Sequence, residues 1–520
     1  MSQQESRVKK TFLNARVNLI FYFLTLALSF FSRKIFLDCL GADFVGLTGT
    51  LQNLLGFLNL AELGVGTAIG YVLYKPLFDH NQKQINGIIS VMGYLYRWIG
   101  LIILGAGIIL SIFLPFIFPD RDTTLDLPLI YFAYYSFLTS SLIGYFINYR
   151  QNLLGADQRN YVVTGYFQST TIVKTIVQMT LAYYTQSYAL WIAIELLFGI
   201  IYSFILNWKI NQTYPWLRTE ISKGRKLLKE YPQVIKYTKQ IFIHKIGALF
   251  QYQVTPFMLY VYSSLATVAL YQNYTLITIK VATAFSNAFG GIGASVGNLI
   301  AEGNNQKTFK IFLELFSLKF YIAGLICVPV YLLIDPFIIL WLGEKYLLTK
   351  TTLIILLTST FINSVRGVVE DFSCGFGLFW DVWSPIIESI LILIIGNIGG
   401  IFWGLNGVLL GGLSGLIFVV SIWKPYMLFH WGFKLPISKY WIAYFFNTIC
   451  IIIPLISTYI ISNIIPFNPS TNFLNWISFS MIILTVYTII SYFTFLTFTT
   501  GMKSFHSRIS LLFKKISTKI

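Results

Sequence analysis

The chain has 520 residues, of which 56% are hydrophobic and only 11% are charged, and its mean hydropathy is +0.70. This composition is typical of an integral membrane protein and excludes a soluble enzyme. The formal net charge of +17 is explained by membrane topology and anionic lipid, so no nucleic-acid partner is predicted. The four cysteines show no CxxC spacing and predict neither a disulfide framework nor a metal site.

Apolar runs about one bilayer thick recur from Phe12 to Thr499, separated by short polar breaks. Roughly 20 apolar residues cross a ~30 Å hydrocarbon core as a helix, and these runs do not alternate as barrel strands would. We therefore predict an all-α integral membrane protein with about fourteen transmembrane helices. In chain order the predicted spans are 12–36, 44–74, 87–118, 128–149, 161–183, 189–208, 240–264, 268–300, 309–334, 353–376, 382–402, 407–429, 441–464 and 474–499.

Lys and Arg cluster in alternate breaks between the spans, so the positive-inside rule places both termini in the cytoplasm. The longest basic break, Asn211–Gln240, is expected to form an amphipathic helix on the anionic inner leaflet, or a solvated linker, and the two are compatible. Every connection on the outer side is short. That leaves no outer loop large enough to carry the catalytic groups of a glycan polymerase.

The chain contains an internal repeat. Gly64–Gly70 and Gly291–Gly297 both read GxGxxxG, and the second run begins 227 residues after the first. An even number of helices in each half predicts two pseudo-symmetric six-helix bundles, in which residues 44–74 superpose on 271–301. The predicted domains are an N-terminal lobe, a basic linker, a C-terminal lobe, and two further helices with a basic tail, at residues 1–210, 211–239, 240–430 and 431–520.

Polar side chains recur at helical spacing inside several spans. Interhelical hydrogen bonds explain any one such stripe, but stripes in both halves predict a shared hydrated cavity between the lobes. The predicted polar face of this cavity consists of Gln52, Asn59, Gln251, Asn273 and Asn287.

Ionisable residues in spans normally face a partner or a watery cavity. Lys280 is the best candidate for an anion-binding cation, and the other candidates are Lys174, Arg366 and Arg16. For two of these cations the alternative is a structural ion pair. Lys174 lies at a depth similar to that of Glu195, and Arg366 is one turn from Glu370.

The predicted coupling-ion residues are Glu62 and the pair Glu370 and Glu388, which could share a proton because like charges in low dielectric cannot both ionise cheaply. Glu302 and Glu314 are expected to be solvated near the cytoplasmic surface. The four histidines are isolated from any serine or cysteine triad spacing, so neither an enzyme nor a cofactor is predicted.

Two motifs resemble the N-terminal signature of bacterial Wzx-type polysaccharide flippases, which belong to the multidrug/oligosaccharidyl-lipid/polysaccharide (MOP) exporter superfamily. They are LGADFVGL at Leu40–Leu47, preceded by Ser32 and Arg33, and LAELGVGTA at Leu60–Ala68. The resemblance is local to about residues 30–80, and over the remaining chain it depends on helix count, repeat and hydropathy.

The resemblance implies two six-helix bundles in a V arrangement, followed by two C-terminal helices. It implies a flippase that moves undecaprenyl-pyrophosphate-linked oligosaccharide from the inner to the outer leaflet of the bacterial cytoplasmic membrane by alternating access. The product would feed O-antigen, capsule or exopolysaccharide synthesis, with H⁺ or Na⁺ as coupling ion and a polysaccharide polymerase as partner. A multidrug or cation efflux transporter and a lipid II flippase are the alternatives on the same fold.

Overall fold

The structure is a computed structural model, and the residues it describes form helices and connections with no strand. It describes residues 7–58, 62, 64–118, 126–157, 159–249, 254–288, 296, 299–300, 302–378 and 380–517. The chain divides into two compact units, Met1–Ala269 and Leu270–Ile520, which we call unit 1 and unit 2.

Unit 1 is built from eleven labelled helices, two of which begin at a side-chain cap. Asn81 accepts a hydrogen bond from the Gln84 amide at 3.0 Å, and Ser187 accepts one from Leu190 at 3.4 Å, so α4 and α8 start where sequence chemistry predicts. The helices are α1 (Arg7–Cys39), α2 (Ala42–Leu58), α3 (Val65–Phe78), α4 (Gln82–Ile112), α5 (Leu127–Phe146), α6 (Gln151–Ala156), α7 (Asn160–Thr185), α8 (Tyr188–Thr213), α9 (Gly224–Glu230), α10 (Pro232–Leu249) and α11 (Thr255–Val261).

The predicted span 44–74 is interrupted in the structure. α2 ends at Leu58, and α3 begins after Gly64, whose φ of +96° lies in the left-handed region that favours glycine. A right-handed helix cannot continue through that conformation, so the span becomes two helices. Glu62 lies in the interruption. An interrupted helix at membrane depth is tolerated where protein groups surround it.

The basic linker packs against α4 rather than forming one free amphipathic helix. The Arg218 amide donates to Asn86 Oδ1 at 3.1 Å, and the Glu220 amide donates to Ser90 Oγ at 2.9 Å. Gly224 sits so close to Tyr94 that an added Cβ would meet the tyrosine side chain. The linker is therefore attached to unit 1 by hydrogen bonds from its backbone amides to α4 side chains, and its binding to the inner leaflet stays a prediction.

The two compact units divide after Ala269, and the predicted start of the C-terminal lobe at residue 240 stays a prediction. α10 packs against α3, and α11 packs against α2. Gly46 of α2 makes a close backbone approach to Leu265, because an added Cβ would overlap the Leu265 carbonyl. The segment 240–264 therefore belongs to unit 1 by its contacts.

Unit 2 follows α12 (Leu265–Ala288), which begins in unit 1. Asn304 and Thr349 cap the first two of its further helices by accepting from the Lys307 and Thr352 amides. These helices are α13 (Asn305–Trp341), α14 (Lys350–Gly375), α15 (Ser384–Phe433), α16 (Ser438–Ile464), α17 (Phe473–Phe498) and α18 (Thr500–Ser517).

α15 is a helical hairpin whose turn lies at Gly404, with φ +53° and ψ −128°. Glycines line the contact between its arms, since a Cβ added at Gly407 would overlap the Gly399 backbone and one at Gly411 would lie 2.5 Å from the Gly396 backbone. Small residues permit such an approach in membrane helices. The two arms correspond to the predicted spans 382–402 and 407–429.

The core of unit 2 is aromatic. Phe312, Phe316 and Phe320 lie four residues apart on one face of α13 and are fully buried, with successive ring centroids 5.4 and 4.8 Å apart. Phe372 of α14 and Phe429 of α15 contact Phe312 edge-on. The i, i+4 spacing places the three rings in one column that joins α13 to the neighbouring helices.

Glu314 lies on α13 beside this core and is only 2% exposed, so the expectation that it is solvated was wrong. Arg508 of α18 supplies its counter-charge, with Nη2 3.1 Å from Glu314 Oε2. The pairing is possible because Gly501 lets α18 touch the α13 backbone at Leu313. Glu302 is exposed as expected and pairs with Lys307.

Nine described helices are long and apolar enough to cross a membrane, and the hairpin α15 counts as one of them. This confirms a multi-pass membrane protein. The prediction of about fourteen spans is compatible with these nine helices but is not established by them. The nine are α1 from Arg16, α4, α5, α8, α13, α14, α15, α16 and α17. The second glycine run, Gly291–Gly297, lies almost entirely outside the described residues, so the pseudo-symmetry stays a prediction.

We expect Arg508→Gln to lower the free energy of unfolding by about 1–3 kcal/mol, because the buried Glu314 carboxylate would lose its charged partner. Thermal melting of the detergent-solubilised protein, followed by tryptophan fluorescence, measures this. The double variant Arg508→Gln/Glu314→Gln should recover much of the loss. Lys307→Gln, which breaks an exposed pair, is the matched control and should change little. Equal melting of Arg508→Gln and the native chain would contradict the assignment.

Candidate functional site

A carboxylate held by two tyrosines marks the interruption between α2 and α3. The Tyr96 hydroxyl of α4 donates to Glu62 Oε1 at 2.6 Å, and the Tyr145 hydroxyl of α5 donates to Oε2 at 2.9 Å. Gly66 leaves room for this contact, since an added Cβ would lie 2.9 Å from the Tyr96 oxygen. Both carboxylate oxygens therefore accept a hydrogen bond, and these two bonds join Glu62 to α4 and α5.

Of the polar stripe predicted beside Glu62, Gln52 is exposed and Asn59 lies outside the described residues. The tyrosine partners were not predicted. Tyr96 and Tyr145 lie on two other spans, and nothing in their local sequence distinguishes them from the many tyrosines of this chain. Only the packing of α4 and α5 around the interruption identifies them.

Lys174 of α7 pairs with Glu195 of α8, with Nζ 2.6 Å from Oε1. Gln178 stabilises the same carboxylate by donating to its Oε2 at 3.1 Å and also donates to the Trp191 carbonyl at 3.0 Å. The sequence left open whether Lys174 is a free cation or forms an ion pair with Glu195, and the structure contains the ion pair. Lys174 is therefore a neutralised residue of the α7–α8 contact rather than an uncompensated cation.

Arg33 of α1 was not among the substrate-binding cations predicted from the sequence. It lies in the apolar part of α1 and is partly buried. Among the described residues it has no ion-pair or hydrogen-bond partner, whereas its neighbour Lys34 pairs with Asp38 at 3.2 Å. Arg16, the predicted cation of the same helix, is exposed. A charge in a span without a protein counter-ion is suited to bind an anion.

In unit 2, Arg366 pairs with Glu370 within α14, with Nη2 2.6 Å and Nε 2.8 Å from Oε1. Its Nη1 also donates to Asn363 Oδ1 at 3.2 Å. Arg366 borders a small crevice formed by α14, the π-helical part of α15 and α16, whose other polar lining groups are Ser421, Tyr440 and Tyr444. A cation already paired this way offers less charge to a ligand than the sequence suggested.

Glu388 is buried at the start of α15, against Gly415 of the opposite arm. Glu370 and Arg366 both act electrostatically on it. Arg366 already neutralises the Glu370 carboxylate. Glu370 and Glu388 therefore do not form the isolated pair of like charges that the predicted sharing of a proton assumes. The two carboxylates are not equivalent.

Asp381 is a buried carboxylate that sequence reasoning missed. It pairs with Lys424 at 2.5 Å and accepts from Ser384 Oγ at 2.7 Å. Asp381 precedes α15 and Lys424 lies near the end of its second arm, so the pair closes the open end of the hairpin. The hairpin register explains why the two residues meet, and no local motif would have revealed it.

The remaining predicted cavity residues lie on or near α12. Lys280 is partly buried, and Asn273 is fully buried, with neither amide atom hydrogen bonded to any other described residue. Gln251 and the Asn287 side chain lie outside the described part. A net-positive cavity between the lobes stays a prediction. Within the described parts of the chain, no cluster of three His, Cys, Asp or Glu residues is suited to hold a metal ion.

No protein-family model matches the sequence, and no curated protein matches it significantly. Among solved structures, the chain is similar to the lipid II flippase MurJ in an inward closed conformation, with TM-score 0.61 and 15% identity over 91% of this chain and 98% of that one. It is also similar to a multidrug resistance MATE family transporter of the MOP superfamily, inward-facing, with TM-score 0.58 and 14% identity over 82% and 98%. At these identities the likeness is one of fold, and the chain has the fold of MOP-superfamily transporters.

We expect Lys174→Gln to lower the free energy of unfolding by about 1–3 kcal/mol, because Glu195 would keep an unpaired charge at a helix contact. The isosteric double variant Lys174→Gln/Glu195→Gln should melt close to the native chain. Melting curves in detergent measure both. If the double variant is as unstable as the single one, Lys174 contributes through something other than this pair.

Proposed function

We propose that this chain is a flippase for undecaprenyl-pyrophosphate-linked oligosaccharide, moving it from the inner to the outer leaflet of the bacterial cytoplasmic membrane by alternating access. The product would serve synthesis of a surface polysaccharide. The fold shared with a protein named as a lipid II flippase supports transport of a lipid-linked glycan. The local resemblance of residues 30–80 to polysaccharide flippases supports the class of glycan.

The observation that carries the proposal is the uncompensated charge of Arg33. A lone cation in a span is costly unless it meets an anion or water, and no described residue supplies a carboxylate for Arg33. A pyrophosphate carries the missing negative charge and accepts the bidentate hydrogen bonds that a guanidinium offers. Lys280 is the second candidate cation, on the grounds of its sequence position inside a predicted span.

The two C-terminal helices favour a lipid substrate. α16 and α17 carry large exposed apolar side chains, including Phe445, Ile456 and Phe493. An apolar surface of this kind suits a polyprenyl tail, which a small drug molecule lacks.

Lipid II transport is the second candidate function. Lipid II also carries undecaprenyl pyrophosphate, so Arg33 and an apolar groove would suit it equally. Efflux of an organic cation is the third, and it calls for uncompensated acidic groups. The described intramembrane carboxylates Glu195 and Glu370 are paired with cations. Glu62 differs from them, because its described partners are two tyrosine hydroxyls and not a cation, so charge alone does not exclude efflux. Only the glycan separates the two flippases.

Glu62 is the best-placed group for ion coupling. Its carboxylate is shared between two hydroxyl donors from α4 and α5 at the point where helix geometry is interrupted. Protonation would remove negative charge from both hydrogen bonds and allow the interruption to change. Glu370 and Glu388 are weaker candidates, because Arg366 acts on both of them.

The direct test is transport in proteoliposomes, using a fluorescent undecaprenyl-pyrophosphate-linked disaccharide. We expect Arg33→Gln and Lys280→Gln each to slow flipping about tenfold, which corresponds to loss of one charge-assisted contact. Lys345→Gln, an exposed cation in the connection between α13 and α14, is the matched control and should flip at the native rate. Native rates in both variants, Arg33→Gln and Lys280→Gln, would contradict the proposal.

The same vesicles separate the alternatives. Faster transport of lipid II than of the disaccharide lipid would identify the second candidate. Transport of the organic cation ethidium with no movement of either lipid would identify the third. Transport of the disaccharide lipid alone is the expected result.

We expect Glu62→Gln to abolish the response of flipping to an imposed pH gradient, because a glutamine cannot exchange a proton. The native chain should respond to the gradient, and Glu370→Gln should keep that response. Flipping rates at fixed membrane potential, with and without the gradient, measure this. A Glu62→Gln variant that remains gradient-sensitive would show that Glu62 is structural, and the flippase assignment would stand unaffected.

A further inference from the structure

The C-terminal helix α18 has a strongly amphipathic sequence. Its apolar residues recur at spacings of three and four and fall on one stripe of the helix. They are Met502, Phe505, Ile509, Leu512, Phe513 and Ile516. Residues 500–520 also contain five Lys or Arg and no Asp or Glu. Such a pattern is typical of helices that lie in the interface of a membrane.

The first half of α18 is held by unit 2. Met502 is buried and Phe505 packs on the phenylalanine core, while Arg508 pairs with Glu314. His506 Nδ1 and the Tyr492 hydroxyl of α17 form a hydrogen bond of 2.7 Å. These contacts attach the first half of the helix to unit 2, and the apolar stripe continues in sequence beyond the last of them.

The cations of α18 flank the apolar stripe on both sides. In the sequence, Lys515 lies seven residues, or about two turns, after Arg508, a spacing that places both residues on one side of the stripe. Lys503 and Lys514 lie eleven residues apart, or about three turns, on the opposite flank, where Lys503 is exposed. Lysines beside an apolar stripe can extend their ammonium groups to headgroups while the stripe enters the acyl boundary.

No other described basic segment combines these features. The linker, which the sequence also suggested for this role, is hydrogen bonded to α4 through the backbone of Arg218 and Glu220. Its helix α9 spans only seven residues. α18 spans eighteen residues and carries no acidic side chain to oppose an anionic surface.

We propose that the distal half of α18 binds anionic phospholipid at the inner leaflet, with Lys503, Lys514 and Lys515 on the headgroups and Ile509, Leu512, Phe513 and Ile516 in the interface. The same helix carries Arg508, which neutralises the buried Glu314. Lipid binding would therefore hold in place the residue on which the charge balance of α13 depends. The proposal does not rest on which substrate the chain carries.

Hydrogen–deuterium exchange of the full chain in nanodiscs tests this. We expect amides of 509–517 to exchange at least about fivefold more slowly in phosphatidylcholine containing 30% phosphatidylglycerol than in phosphatidylcholine alone, since each cation near an anionic surface strengthens binding about fivefold. The difference should shrink at 1 M salt, where the Debye length is about 3 Å. Equal exchange in the two lipids would overturn the proposal.

Two triple variants make the test specific. Lys503→Gln/Lys514→Gln/Lys515→Gln should lose the phosphatidylglycerol dependence and keep the native melting temperature, because Arg508 and Glu314 remain. Lys75→Gln/Lys83→Gln/Lys434→Gln removes the same charge from exposed sites elsewhere and should keep the dependence. If both triples lose it, the effect is one of net charge and α18 is not the lipid site. Slow exchange in both lipids for every variant would indicate that the segment packs on protein instead.

Discussion

The structure depends on one constraint, which is that a charge in a spanning helix must be compensated within the protein because lipid cannot solvate it. Lys174 with Glu195, and Arg508 with Glu314, each join two helices through such a charge. The pairs therefore specify which helices are neighbours, in a solvent where apolar side chains give little preference for one neighbour over another. Arg33 stands outside this pattern, and for that reason we propose that its charge serves the substrate and not the fold.

Much of the fold was predictable because hydropathy reports directly on membrane depth. The two arms of α15 and the helices α16 and α17 fall where the apolar runs placed them. The interruption at Gly64 was not predictable, since a glycine inside an apolar run is equally compatible with a continuous helix.

The candidate site was less predictable than the fold. Lys174 and Glu195 were foreseeable partners because one short turn places them at equal depth. Arg508 reaches Glu314 from the far end of the chain, and Tyr96 reaches Glu62 from another helix. Such long-range contacts leave no local pattern in a sequence. For this reason Glu314 was predicted to be solvated, whereas it is buried. Spacing along one helix predicts a shared face but not what faces it.

The hairpin α15 has a consequence for how the chain is made. Its arms touch through the backbones of Gly399 and Gly407, and Gly404 alone forms the turn. This contact needs no residue from any other helix, so the hairpin is complete as soon as its own fifty residues have been synthesised. Because so short a turn joins the two arms, one arm cannot remain outside the bilayer while the other crosses it. During biogenesis they would enter the membrane together, as a preassembled pair on which α14 and α16 then pack.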